Sequence, residues 1–181
     1  NEINREEATR LLKADLIENV GNFAKLDIFR KTRTGVPEVV FAQNKSVEVL
    51  IEIIKKLLEK SRYAIISKYT EEQHYEITKL FKSDKYGIEI NDLGKIIIIK
   101  ELGLEFPKGK GIIGIITAGS SDIHIAEEAR TISEIMGCQT IVSYDVGIAG
   151  IHRIFSPLSE MIKKGVHIII VCAGMEGTLP G

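Results

Sequence analysis

Ile112-Ile113-Gly114-Ile115-Ile116-Thr117-Ala118-Gly119-Ser120-Ser121-Asp122 is the stretch on which the reading of this chain turns. An uncharged, isoleucine-rich run ends on small polar residues, and the pattern recurs twice downstream. Thr140–Tyr144 runs into Asp145-Val146-Gly147-Ile148-Ala149-Gly150-Ile151-His152-Arg153, and Val166–Cys172 runs into Ala173-Gly174-Met175-Glu176-Gly177. Short apolar runs bounded by turn residues and separated by helical patterns read as buried strands of a parallel sheet. In an open α/β sheet, ligands bind in the crevice outside the carboxyl ends of the strands. Polar, glycine-rich segments at three successive strand ends therefore predict one composite site.

Working outward, residues 122–136 place Ile123, Ala126, Ala129, Ile132 and Met136 at helical spacing, and Gly137 suits the position just past a helix end. A second helix is predicted with Ser156 as N-cap, Pro157 at its first position and Gly165 beyond its end. Upstream, residues 4–20 read as an amphipathic helix through Ala8, Leu11, Leu12 and Leu16. Residues 37–41 read as a short strand. Ser46 caps a helix carrying Val47, Leu50, Ile51, Ile54, Leu57 and Leu58, and residues 63–67 form a second strand, giving a βαβ unit. The capping-box pattern from Thr70 to Gln73 opens a helix to about Lys82. Strands at 86–90 and 95–100 flank the turn sequence Asn91-Asp92-Leu93-Gly94, and residues 101–110 read as a linker.

The expected fold class is therefore α/β. A helix and basic segment (1–34) lead into a small α/β domain (35–105), followed by a doubly wound parallel-sheet domain (106–181). Three strands are few for such a sheet. The second domain is accordingly expected to be incomplete at its C-terminal side, or to need a partner over its last strand.

Composition narrows the function classes. The 181 residues are 44% hydrophobic and 27% charged, with a net charge of −1, so no overall field recruits nucleic acid or an anionic membrane. No apolar run approaches the roughly 18 residues of a membrane span. The first residues are charged rather than signal-like. Two cysteines in unpaired contexts suit a reducing compartment, so a cytoplasmic location is expected. No His, Cys or carboxylate set has transition-metal ligand spacing.

The strand-end segments carry the candidate chemistry. Gly119, Ser120, Ser121 and Asp122 present backbone N–H groups, hydroxyls and a carboxylate at a helix start, which suits a phosphate or an ordinary cap. Gly147 and Gly150 permit close approach, while Asp145, His152 and Arg153 are expected to converge. Arginine can hold a phosphate or carboxylate through two parallel bonds, and histidine can move a proton near neutrality. The alternative is a surface turn with a packed histidine. Gly174, Met175, Glu176 and Gly177 place a carboxylate in an apolar turn, where desolvation would raise its pKa toward general-base use; a solvated turn is the alternative. Arg30, Arg33 and Lys45 form a basic cluster that suits either a phosphate or a solvated face. Cys138 and Cys172 read as core residues.

Together, Ala-Gly-Ser-Ser-Asp at 118–122, Asp-Val-Gly-Ile-Ala-Gly-Ile-His-Arg at 145–153 and Ala-Gly-Met-Glu-Gly at 173–177 resemble the LarB family of nickel-pincer cofactor biosynthesis, whose C-terminal half is similar to PurE. Asp27, Arg30, Arg33, Gly35 and Pro37-Glu38-Val39 match the family's N-terminal pattern. The resemblance implies an enzyme that carboxylates the pyridinium ring of nicotinic acid adenine dinucleotide, using CO2 or bicarbonate, and cleaves the phosphoanhydride to release AMP. It implies Glu176 as base, Asp122 and His152 as further catalytic residues, and substrate binding by Gly119, Ser120, Ser121, Asp145, Gly147, Gly150, Arg153, Gly174, Met175, Gly177, Arg30, Arg33 and Lys45. It also implies Mg²⁺ on the phosphates and a PurE-like homo-octamer. The family's nucleophilic cysteine has no match at Cys138 or Cys172, and its position is expected beyond Gly181. A PurE-type aminoimidazole ribonucleotide carboxylase and a non-catalytic nucleotide-binding module are the alternatives.

Overall fold

The computed structural model describes residues 17–20, 24–28, 30–174 and 177–181. The chain divides into two units, one drawn from Asn1–Glu89 and Ile97–Leu104, the other from Ile90–Ile96 and Glu105–Gly181.

The first unit opens with an antiparallel pair, β1 (Ile17–Val20) and β2 (Ala24–Asp27), in which Ile17 faces Asp27 and Val20 faces Ala24. Residues 17–20 are therefore extended and do not end an amphipathic helix; the rest of that expected helix lies outside the described residues. Tertiary burial decides the outcome, because Val20 and Leu26 both enter the core of this unit. A short helix α1 (Arg30–Thr34) follows. Strand β3 comprises only Val40 and Phe41, paired in parallel with Ile66 and Ser67 of β4 (Tyr63–Ser67). It is shorter than the sequence suggested, since residues 37–39 make no ladder pairs with β4.

Helix α2 (Val47–Ser61) connects β3 to β4, and the Ser46 hydroxyl accepts the Val49 N–H at 3.4 Å. Its buried face is Leu50, Ile53, Ile54, Leu57 and Leu58. Helix α3 (Glu71–Phe81) begins with a reciprocal capping box: Thr70 Oγ1 accepts from the Gln73 N–H, and Gln73 Oε1 accepts from the Thr70 N–H. Strands β5 (Tyr86–Asn91) and β6 (Ile96–Glu101) complete a sheet of order β3-β4-β6-β5. All of Ile96 to Ile99 is buried, which is why this run does not alternate with polar residues.

The second unit is a three-stranded parallel sheet, β7 (Ile112–Thr117), β8 (Gln139–Ser143) and β9 (Ile168–Cys172), in the order β8-β7-β9. This is the 2-1-3 order of PurE- and flavodoxin-like folds, with the chain reversing direction across the sheet between the first and third strands. Helix α4 (Ile123–Ile135) packs Ala126 against Ile115 and Cys172. Helix α5 (His152–Lys163) packs Met161 against Ile116 and Val146. Consecutive β7 residues thus serve different helices, as a pleated strand requires. Gly114 is the exception in size, since a Cβ there would lie 2.7 Å from the Met161 sulfur.

Two boundaries differ from the sequence reading. Helix α4 is preceded by a 3₁₀ turn at Ser120–Asp122. Helix α5 starts at His152, so Pro157 lies inside the helix and Ser156 does not cap it. The 3₁₀ turn at Ile148–Gly150 leads directly into α5 and sets its helical course before the proline is reached. Among the described residues, no helix is long and apolar enough to cross a membrane.

Residues 90–96, the tip joining β5 to β6, pack within the second unit. The Asn91 side-chain amide donates to Glu127 Oε2 at 2.8 Å and to Thr131 Oγ1 at 2.9 Å. Its oxygen accepts the Gly94 N–H at 3.0 Å, closing the turn. A Cβ on Gly94 would come within 3.1 Å of the Glu127 carbonyl carbon, so glycine allows the tip to lie flat on α4.

Candidate active site

The three polar segments do meet. Gly119, Ser121 and Asp122 after β7, Asp145, Gly147 and Arg153 after β8, and Gly174 after β9 line one cavity of about 480 Å³ at the carboxyl end of the sheet. Its volume lies within the range of small-molecule sites, roughly 300–1,000 Å³.

Backbone contacts close the loops on one another. The Ala118 N–H donates to the Cys172 carbonyl at 2.9 Å, extending the β7–β9 pairing to the first loop. Gly147 lies so close to that loop that a Cβ would sit 2.5 Å from the Ala118 oxygen. Asp122 Oδ2 accepts the Gly119 N–H at 2.9 Å, and its Oδ1 lies 3.3 Å from where a Gly174 Cβ would stand. One carboxylate therefore borders both the first and the third loop.

Asp145 has φ 55°, a left-handed conformation that costs an L-residue about 1–2 kcal/mol. Two bonds to the buried Thr117 accompany it. The Asp145 N–H donates to Thr117 Oγ1 at 2.8 Å, and the Val146 N–H donates to the Thr117 carbonyl at 2.9 Å. Arg153 Nη1 in turn donates to Asp145 Oδ2 at 2.7 Å. The guanidinium lies against Gly150, where a Cβ would be 2.7 Å from Nε.

Beside Asp145, Tyr144 reaches back to α4, and its hydroxyl donates a hydrogen bond to Glu127 Oε1. The Glu127 side chain is only 3% exposed and also receives two bonds from Arg130. Burial alone would raise its carboxyl, but hydrogen bonds from Arg130, Tyr144 and Asn91 outweigh that and hold it below the usual carboxylate range. Burial, reinforced by the bond to Glu127, pushes the Tyr144 hydroxyl up to about 12. Burial also raises the Cys172 thiol, and the nearby Asp122 carboxylate raises it further, so Cys172 remains a protonated core residue.

Not every candidate residue borders the cavity. Ser120 is exposed at the start of its turn, and His152 is exposed on the first turn of α5. Gly150 acts beneath Arg153, and Gly177 is exposed with φ 63°. Met175 and Glu176 lie outside the described residues. Arg30, Arg33 and Lys45 belong to the first unit. There Arg33 pairs with Asp27, Lys45 Nζ donates to the Phe41 carbonyl at 2.7 Å, and burial raises the Glu38 carboxyl, which the Arg30 charge offsets only in part.

Thr178 and Leu179 line the cavity without having been singled out in the sequence, as do Ile148 and Ala149. Thr117 and Glu127 were also missed. Thr117 reads as the last residue of a strand, and Glu127 as one acid on a charged helix; only their tertiary partners distinguish them. Among the described residues, no three His, Cys, Asp or Glu side chains are grouped to hold a metal ion.

Residues 17–101 match the family model described as the LarB/PurE-like N-terminal domain. An uncharacterized protein of Methanocaldococcus jannaschii is 44% identical over 180 residues, covering 99% of this chain and 70% of that protein. The N-terminal match and the ordered segments around the cavity agree, and the chain belongs to the LarB family.

Proposed function

We propose that this protein carboxylates the pyridinium ring of nicotinic acid adenine dinucleotide and hydrolyses its phosphoanhydride, releasing AMP. The observation that carries the reading is the convergence of three strand-end loops on one cavity, with Asp122 and the Arg153–Asp145 pair on its wall. Family membership supports carboxylase-type chemistry there.

An electron-poor pyridinium does not attack CO2. A thiolate that adds to the ring pushes an electron pair into it and makes an enamine, whose C5 carbon bonds to CO2. A base takes the C5 proton, the electron pair returns to the ring, and the thiolate leaves as the aromatic cation is restored. Glu176 is the proposed base. Asp122, with Ser120 and Ser121, is proposed to orient the incoming CO2 or the ring. Arg153 holds a phosphate or ring carboxylate, and His152, exposed on the first turn of α5, is proposed to serve proton transfer. The thiolate comes from neither Cys172, which is kept protonated, nor Cys138, which does not line the cavity. Mg²⁺ is proposed to enter with the substrate and to screen the charge of its phosphoanhydride.

The test is incubation of the full-length protein, carrying the nucleophilic cysteine that the family resemblance implies, with nicotinic acid adenine dinucleotide and ¹³C-bicarbonate, followed by mass spectrometry. AMP and a labelled carboxylated pyridinium mononucleotide are expected. Carboxylation of aminoimidazole ribonucleotide instead would overturn the reading in favour of a PurE-type enzyme. Failure of this chain to bind nicotinic acid adenine dinucleotide would overturn it in favour of a different ligand.

A further inference from the structure

We propose that Thr117 is a positioning residue for the anion-binding arginine, acting through Asp145; this deepens the reading above and rests on it. Thr117 ends the central strand β7 and is fully buried, with no surface of its own in the cavity. Both its oxygens point their acceptor capacity at the next loop. Oγ1 takes the Asp145 N–H at 2.8 Å and the carbonyl takes the Val146 N–H at 2.9 Å. These two bonds fix consecutive peptide units on either side of the Asp145 Cα. They therefore hold the left-handed conformation, φ 55°, which aspartate tolerates better than most residues but at a cost.

The consequence reaches the cavity through one side chain. With its backbone held, Asp145 directs Oδ2 to Arg153 Nη1 at 2.7 Å. Gly150 leaves room for the guanidinium to lie flat, so the group is restrained from two sides. Only one of its five N–H donors is engaged by this carboxylate. An anionic ligand thus meets a guanidinium already oriented, which lowers the entropy lost on binding. A hydroxyl is required at position 117 because valine, of similar shape, would take the acceptor from the partly buried Asp145 N–H and free its backbone.

Isothermal titration of the whole chain with nicotinic acid adenine dinucleotide tests this through a double-mutant cycle. Thr117→Val is expected to raise Kd about 10-fold, and Thr117→Ser, which restores the oxygen, to recover most of that loss. In an Arg153→Ala background the same Thr117→Val change is expected to cost less than two-fold, because its route to the ligand is gone. Equal losses in both backgrounds would overturn the inference, as would equal losses in Thr117→Val and Thr117→Ser. If Thr117→Val does not fold, Thr117→Ala removes the hydroxyl without new bulk and takes the same cycle. A parent protein that binds no dinucleotide would instead sink the proposed function, so the two failures are distinguishable.

Discussion

A methyl group at position 147 would have to occupy space 2.5 Å from the Ala118 carbonyl oxygen, and no rotamer can relieve a backbone clash. Gly147→Ala is therefore expected to force the first two loops apart and to cost about 1–3 kcal/mol in urea denaturation. Unchanged stability and unchanged dinucleotide affinity would mean that the loops do not approach so closely. Glu127 offers a pH-resolved test. Its carboxyl is lowered in the folded state, so its stabilisation is present above the unfolded value near 4.5 and fades as pH falls through the folded one. Tyr144 runs the other way: its contribution is whole below 10.0 and is lost as pH rises toward about 12. Calorimetric melting curves should show a shallower acid limb for Glu127→Gln and a shallower alkaline limb for Tyr144→Phe. Limbs parallel to the parent's would refute the linkage. Glu127 could not be singled out in the sequence because its neighbours Glu128 and Arg130 give it the look of a solvated face.

At the scale of elements, local chemistry was legible where it is self-contained. Ser46 and Thr70 announce their helices because a hydroxyl serves N–H groups only three residues away. The start of α5 was not legible, since Pro157 imitates a first-turn proline while the helix is launched from a 3₁₀ turn upstream. Residues 17–20 misled for a different reason: leucines spaced for a helix precede them, and only the cross-strand partner makes them extended. The α3 capping box carries more than its helix. The Gln73 side-chain amide, buried, also donates to the Ala42 carbonyl at 3.1 Å and the Lys45 carbonyl at 2.8 Å. Gln73→Ala leaves the Thr70 N–H without its side-chain acceptor and the Lys45 carbonyl without this donor, while Ala42 keeps the Lys45 N–H, and a loss of about 2 kcal/mol is expected. A loss under half that in chemical denaturation would show that water replaces the amide.

For the molecule as a whole, the three parallel strands and their shared crevice were readable in advance, since parallel strands are apolar on both faces and leave their polar residues at the ends. The distribution of roles within the crevice was not, because it depends on which loop atoms meet. Ligand binding should register at this scale as well. At a dinucleotide concentration 100-fold above Kd, linkage stabilises the folded state by about 2.7 kcal/mol, and amide exchange should slow in the loops after β7, β8 and β9. Protection confined to the first unit would place the ligand elsewhere. The tip at residues 90–96 bears on how such a protein can be inherited. It falls inside the stretch that the family shares as an N-terminal domain, yet its packing partners belong to the second unit. A gene segment cut after residue 104 and recombined would carry Asn91 away from Glu127, leaving a buried carboxylate short of a donor. Exchange of these halves between relatives is thus constrained to pairs whose tip and α4 have changed together.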